Sequence, residues 1–202
     1  MFKNYIDINK HLNVQFYDSF LPLQLTNELY DLLMVAQYNS DDQSSIFIYG
    51  SSVKIPRSHM AYGDEGVSYK FAGHTVSATS WNTNGKIERI LRYIKHRLES
   101  IFATKLNYVL INRYIDGNEY IGYHKDNQKD LGKTPKIFGV SLGASRKIHF
   151  KYDLNGEVIK LNLPHNSLVI MNNPTNDKWK HSIPKQPKVE HSRISLTFRY
   201  MV

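Results

Sequence analysis

The chain has 202 residues, enough to bury a sizeable core, and its 41% hydrophobic and 22% charged residues are a folded globular composition rather than a disordered one. The formal net charge is +8, which points to a polyanionic partner, most simply nucleic acid. Cysteine is absent, which excludes a disulfide frame and any thiolate-held zinc and leaves a metal to His and carboxylate ligands.

The first residues, Met1-Phe-Lys-Asn-Tyr-Ile-Asp-Ile8, lack an apolar signal core, and no apolar run approaches membrane-spanning length. A soluble, intracellular protein with no membrane partner is expected, built as a single domain and acting as a monomer. Residues from Pro22 to Tyr38 place Leu25, Leu29, Leu32, Leu33 and Ala36 at helical spacing. The stretch from Asp41 to Thr79 is mixed; Ile46–Tyr49 and Val67–Phe71 read as β-like pieces between Gly and Pro. Gly85 to Ala103 is a clearer helix, with Ile87, Ile90, Leu91, Ile94, Leu98, Ile101 and Phe102 on one stripe and Thr83 or Asn84 as its cap. Its other face carries Arg89, Arg92, Lys95, His96 and Arg97, a solvated face or a phosphate-binding one.

From Leu106 the texture becomes short β-type runs: Tyr108–Tyr114, Tyr120–His124, Ile137–Leu142, Lys147–Tyr152, Val158–Leu163, Ser167–Met171, Lys180–Ile183 and Arg193–Tyr200. Eight such strands without intervening helices predict a sandwich or a double-sheet jelly roll, with the two helices covering one sheet. The fold class is α+β, mainly β.

Two polar patterns stand out in the β region. His124 and Asp126 are two apart, so in an extended segment both side chains reach one side; a later His181 completes two imidazoles and a carboxylate, the donor set of a facial Fe(II) site. Arg193-Ile-Ser-Leu-Thr-Phe-Arg199 alternates throughout, with Arg193, Ser195, Thr197 and Arg199 on one face. A guanidinium on that face suits bidentate capture of a carboxylate, whereas an edge strand with a wet outer face is the plainer reading. Asn112 and Tyr114 alternate in the same way upstream.

Taken together, Asn112-Arg-Tyr114, His124-x-Asp126, Asn173-Pro-Thr-Asn-Asp-Lys-Trp-Lys-His181 and Arg193-x-Ser-x-Thr-x-Arg199 resemble the AlkB family of Fe(II)- and 2-oxoglutarate-dependent nucleic-acid dealkylases. The branch that repairs alkylated double-stranded DNA is the nearest in texture. Pro56-Arg57, Tyr62-Gly-Asp64 and Val67-Ser-Tyr69-Lys-Phe71-Ala-Gly73 extend the likeness, so that it covers about Ile46 to Met201 in one order.

The resemblance implies a double-stranded β-helix core over about 106–202 and a nucleotide-recognition lid over about 40–80. It implies Fe(II) held by His124, Asp126 and His181, with 2-oxoglutarate and O2 as co-substrates. Arg193 would pair with the distal carboxylate and Arg199 would approach the metal-proximal one. Asn112, Tyr114, Ser195 and Thr197 would line the co-substrate site. The implied reaction is oxidative demethylation of 1-methyladenine and 3-methylcytosine type lesions on a base flipped out of duplex DNA. Phe71 and His124 would sandwich that base, Tyr69 would form its wall, Gln128 would stand near its edge, Arg57 would contact the nucleic acid, and Tyr49 would fill the gap in the stack. Two positions depart from the branch, which favours Phe at Tyr49 and an acidic residue at Gln128. Lys125, Lys129, Lys133 and Lys136 in one loop, and Lys178, Lys180, Lys185 and Lys188 in another, are phosphate-contact candidates. The alternatives are a 2-oxoglutarate oxygenase acting on RNA, protein or a small molecule, and a non-catalytic nucleic-acid-binding jelly roll.

Overall fold

The computed structural model describes residues 2–7, 9–39, 45–48, 51–71, 74–126, 128–132 and 135–202, without the side chains of 46–48, 51–54, 70, 71, 74, 128 and 129. In chain order the elements are β1 (Phe2–Asp7), β2 (Leu12–Tyr17), α1 (Leu23–Val35), β3 (Ser45–Ile48), β4 (Ser51–Lys54), β5 (Ser58–Gly63), β6 (Ser68–Phe71), β7 (His74–Ser77), β8 (Thr79–Ser80) and α2 (Lys86–Phe102). They continue as β9 (Tyr108–Tyr114), β10 (Ile121–His124), α3 (Gln128–Leu131), β11 (Ile137–Gly143), β12 (Arg146–Tyr152), β13 (Val158–Leu163), β14 (Ser167–Met171), α4 (Thr175–Lys178), β15 (Trp179–Ile183) and β16 (Arg193–Arg199).

Two sheets face each other. The larger runs β1-β2-β14-β11-β16-β9-β5-β8 and the smaller β10-β15-β12-β13. From β9 to β16 the chain alternates between them strand by strand, except at the hairpin β12–β13, the winding of the expected double-stranded β-helix. Strand alternation sorts side chains to either face of the larger sheet. Val109, Ile111, Phe138, Val140, Ile194, Leu196 and Phe198 turn outward and pack on Leu29 and Leu33 of α1 and Ile90, Leu91, Ile94 and Leu98 of α2. Each such fully buried side chain contributes roughly 1.5–3 kcal/mol by removing apolar area from water. The opposite face meets Ile148, Phe150, Leu161, Leu163, Trp179 and Ile183 of the smaller sheet. Among the described residues, no helix is long and apolar enough to cross a membrane.

Three local expectations need correction. The cap of α2 is Gly85, with no side-chain capping bond, rather than Thr83 or Asn84. Glu88 sits against Gly85, where a Cβ would clash with its carboxylate, and the carbonyl of Thr83 instead accepts from Arg92 Nη1 at 2.8 Å. The one-turn helices α3 and α4 interrupt what was read as an unbroken series of strands. The hairpin β1–β2 and the strand β5, paired to β9, extend the larger sheet beyond the predicted runs. The basic face of α2 is largely engaged within the fold. Lys95 pairs with Glu99 at 2.8 Å, and the Arg97 guanidinium lies 5.5 Å from the Phe20 ring.

Candidate metal centre

His124 ends β10 and His181 lies in β15, directly paired across the strands, with ring centroids 4.2 Å apart. Asp126 follows two residues after His124, where the chain leaves the sheet. One ligand atom from each of the three lies within 4.8 Å of the others. His124 Nδ1 stands 2.9 Å from the carbonyl of Gly122. A carbonyl only accepts, so Nδ1 carries the proton and Nε2 keeps a lone pair for a metal.

The carboxylate is held from several sides. Arg199 Nη2 donates to Asp126 Oδ1 at 2.8 Å, and both side chains are buried. The Asp126 amide donates to Asn176 Oδ1 at 2.9 Å while Asn176 Nδ2 donates to the Asp126 carbonyl at 3.0 Å. Asp126 Oδ2 has no hydrogen-bond partner among the described residues. Burial alone would raise the Asp126 carboxyl, but Arg199 together with His181 and His124 outweighs it and holds it below the usual range. Burial, reinforced by His124, pushes His181 down to about 3. Both imidazoles are therefore neutral at neutral pH and the carboxylate is ionised, the protonation states a divalent metal requires.

The triad opens into a cavity of about 90 Å3 between the two sheets. Its wall on the larger sheet is the polar face of β16 and its neighbours: Arg193, Ser195, Thr197, Arg199, Asn112 and Tyr114. The edge-strand reading of β16 is thereby overturned. β16 pairs with β11 on one side and β9 on the other, so its polar face looks into the interior and not into water.

Arg193 is 2% exposed. Its Nη2 donates to Ser141 Oγ at 3.0 Å, and its carbon Cζ lies 5.5 Å from the Tyr114 ring. Its Nε and Nη1 find no hydrogen-bond partner among the described residues. Burial lowers this guanidinium to about 10, still charged at neutral pH. A buried cation without a carboxylate is costly by several kcal/mol, so the site is built for an anionic ligand that arrives from outside. Asn112 Oδ1 is taken by Arg57 Nε at 3.0 Å, which leaves its Nδ2 as donor.

Arg57 is thus buried on the cavity wall rather than out on the surface. Tyr69 is buried on the same wall, with the Arg199 guanidinium 4.8 Å from its ring. Tyr49 lies outside the described residues. Phe71 and Gln128 fall in β6 and α3, and their side chains lie outside the described set. Of the loop lysines, Lys125 is engaged with Asp153 and the Asp177 carbonyl, and Lys185 lies 5.0 Å from the Tyr120 ring. Lys133, and the side chain of Lys129, lie outside the described residues.

Sequence reasoning missed three supports of this centre. Asn176, five residues before His181, carries a signal only as part of the stretch from Asn173 to His181. Ser141 had no visible signal. Arg146, fully buried, donates to the carbonyls of Asp116, Glu119 and Pro184 at 2.8 Å each, and its Cζ lies 5.6 Å from the Tyr114 ring.

Comparison with known proteins gives a consistent result. The sequence pattern of the 2OG-Fe(II) oxygenase superfamily matches residues 14–199. The chain is 36% identical over 171 residues to the bovine "DNA oxidative demethylase ALKBH2", an alignment that covers 81% of this chain and 59% of that protein. It is 34% identical over 177 residues to the mouse protein of the same name, covering 84% of this chain and 72% of that one. The chain thus spans about three fifths of the bovine relative's length. Among solved structures, that of OsALKBH1 superposes with a TM-score of 0.62 at 14% identity, covering 97% of this chain and 98% of that one. This likeness bears on the fold alone.

Proposed function

Because this chain belongs to the 2OG-Fe(II) oxygenase superfamily and, within it, to the AlkB family, we propose that it is an Fe(II)- and 2-oxoglutarate-dependent dioxygenase. Its substrate is DNA carrying N-alkylated bases of the 1-methyladenine and 3-methylcytosine type, which it repairs by direct reversal. The observation that carries the reading is the pairing, in one interior cavity, of a metal-ready triad with a buried guanidinium that has no carboxylate of its own.

His124 Nε2, Asp126 Oδ2 and His181 would hold Fe(II). When bound, the iron with 2-oxoglutarate and O2 supplies the oxidant that hydroxylates an N-alkyl carbon, and the hydroxyalkyl group then leaves as an aldehyde. Arg193 fixes the distal carboxylate of 2-oxoglutarate, oriented by Ser141 and Tyr114. Arg199 neutralises the metal-side carboxylates while keeping Asp126 ionised. Asn112 Nδ2, Ser195 and Thr197 supply hydrogen bonds along the same wall. The apolar remainder of the cavity excludes water from the reacting centre.

A base in a duplex cannot reach this interior, so the target nucleotide is flipped. His124 and Phe71 bracket it, Tyr69 and Arg57 form its pocket, Gln128 meets its edge and Tyr49 occupies the vacated step. Within the segment of about 40–80, β3–β4 and β6–β7 act as the lid over that pocket, while β5 and β8 belong to the larger sheet. A neutral Gln128 gives a cationic alkylated base less attraction than a carboxylate would.

The test is succinate formation by the intact chain with Fe(II) and 2-oxoglutarate, with and without methylated duplex DNA. Lesion-dependent succinate supports the proposal. Turnover with methylated RNA or a small substrate alone moves the chain to another branch of the superfamily. DNA binding without any turnover would make it a non-catalytic module.

A further inference from the structure

The smaller sheet turns one face to the cavity; the other is exposed at its lysines, with Ser182 buried and His149 half-buried between them. Strand alternation puts Lys147, His149 and Lys151 of β12, Lys160 of β13 and Lys180 of β15 on the outer face, and all four lysines are exposed. The register sets His149 opposite Lys160 and Lys151 opposite Lys180. Lys151 Nζ also lies 5.6 Å from the Tyr123 ring centroid, which brings β10 into the same patch. Like charges directly opposite one another destabilise a sheet. The outward positions of β12, β13 and β15 carry no acid. Asp153 and Glu157 stand where the β12–β13 hairpin turns, and Glu157 is occupied by Lys10 at 2.6 Å.

This basic face is continuous with the metal centre. Asp153 lies 4.0 Å from Lys180 Nζ and 2.5 Å from Lys125 Nζ, and Lys125 stands between two members of the triad in the chain. Lysines are flexible point charges, suited to a phosphodiester backbone rather than to reading base edges. Among the outward strand residues only Val158 and Tyr123 are large and apolar, with Leu154 exposed at the β12–β13 turn, too few for the apolar row that anchors a surface in lipid.

We infer that the outer face of the smaller sheet is a second contact surface for the nucleic-acid backbone. The strand flanking the target base leaves the triad past Lys125 and crosses β15, β12 and β13 over Lys180, Lys151, Lys147 and Lys160. The inference rests on the reading that the cavity receives a nucleic-acid base. It extends the footprint from the cavity mouth to the whole smaller sheet.

The experiment compares the unaltered chain with the combined Lys147→Ala, Lys151→Ala and Lys160→Ala variant in binding a long unmethylated duplex across a salt series. The slope of log affinity against log salt is expected to fall by about 2–3, close to one for each lost phosphate contact. A charge-matched control, Lys3→Ala, Lys86→Ala and Lys105→Ala on β1, α2 and the following loop, should keep the slope. Turnover of a methylated oligonucleotide too short to reach the sheet should be the same in all three proteins. An unchanged slope, or an equal fall in the control, overturns the second surface and leaves the proposed reaction standing. Equal DNA slopes together with weakened binding of the variant to phosphatidylserine vesicles overturns it in favour of lipid. Absent lesion-dependent turnover in the unaltered chain instead overturns the proposed reaction, while the slope still decides the surface.

Discussion

Arg199 and Asp126 form an ion pair at 2.8 Å in the interior, and each is the other's only partner of opposite formal charge in that wall of the cavity among the described residues. Removing one member of a buried pair leaves the other's charge uncompensated, at a cost of about 3–5 kcal/mol. Asp126→Ala is therefore expected to abolish turnover and also to lower the stability of the metal-free protein by that amount in chemical denaturation. Asp126→Asn keeps the volume and a hydrogen-bond acceptor, so it should abolish turnover with a smaller stability loss. An Asp126→Ala protein that retains activity would remove the carboxylate from the metal set.

Asn176 ties α4 to the loop that carries Asp126, through two reciprocal bonds to the Asp126 backbone at 2.9 and 3.0 Å. It touches no metal ligand atom and acts by fixing where the carboxylate sits. Partners of this kind typically contribute 10–100-fold in metal affinity, at roughly that order for a single residue. Asn176→Ala should weaken Fe(II) or Co(II) binding by about that factor, with kcat recovering at saturating metal. Unaltered metal affinity would show that the loop is held without it.

What the sequence made legible follows from period. The alternation of Arg193 to Arg199 predicted both faces of β16, and the helical stripe of α2 predicted its buried residues Ile90, Leu91, Ile94 and Leu98. Alternation does not say which face looks inward. Only the pairing of β16 between β9 and β11 makes its polar face the cavity wall. In the same way His124, Asp126 and His181 were readable as donors, but the register that sets His124 against His181 is a long-range property. β5 escaped notice because Ser58-His59-Met60-Ala61 lacks a β-branched run, although tertiary pairing to β9 makes it a strand. β2 did carry a period-2 signal in Leu12, Val14 and Phe16, which are buried where Asn13 and Gln15 are only half-buried.

Tyr49 precedes Gly50 at the end of an apolar run, in a position the resemblance assigns to an aromatic residue that fills the step left by a flipped base. A filler matters only where a stacked partner strand would otherwise close the gap. Tyr49→Ala should thus reduce repair of duplex substrate more than of single-stranded substrate, and Tyr49→Phe should restore it. Equal losses on the two substrates would take the finger role away from Tyr49.

Arg193 gives the sharpest separation between fold and function. A structural arginine at such burial has its donors satisfied, as Arg146 has by three backbone carbonyls, whereas Arg193, 2% exposed, has Ser141 Oγ at 3.0 Å and two nitrogens without hydrogen-bond partners among the described residues. Its charge is a burden on the ligand-free protein, so Arg193→Met should leave the stability of that form unchanged or raise it. A charge-assisted hydrogen bond contributes about 1.5–3 kcal/mol, so the same variant should raise KM for 2-oxoglutarate by roughly 10- to 100-fold. Arg193→Lys keeps the charge without the fork and should fall between the two. Unfolding of Arg193→Met with an unaltered KM in the folded fraction would mark Arg193 as structural and would place the co-substrate carboxylate elsewhere.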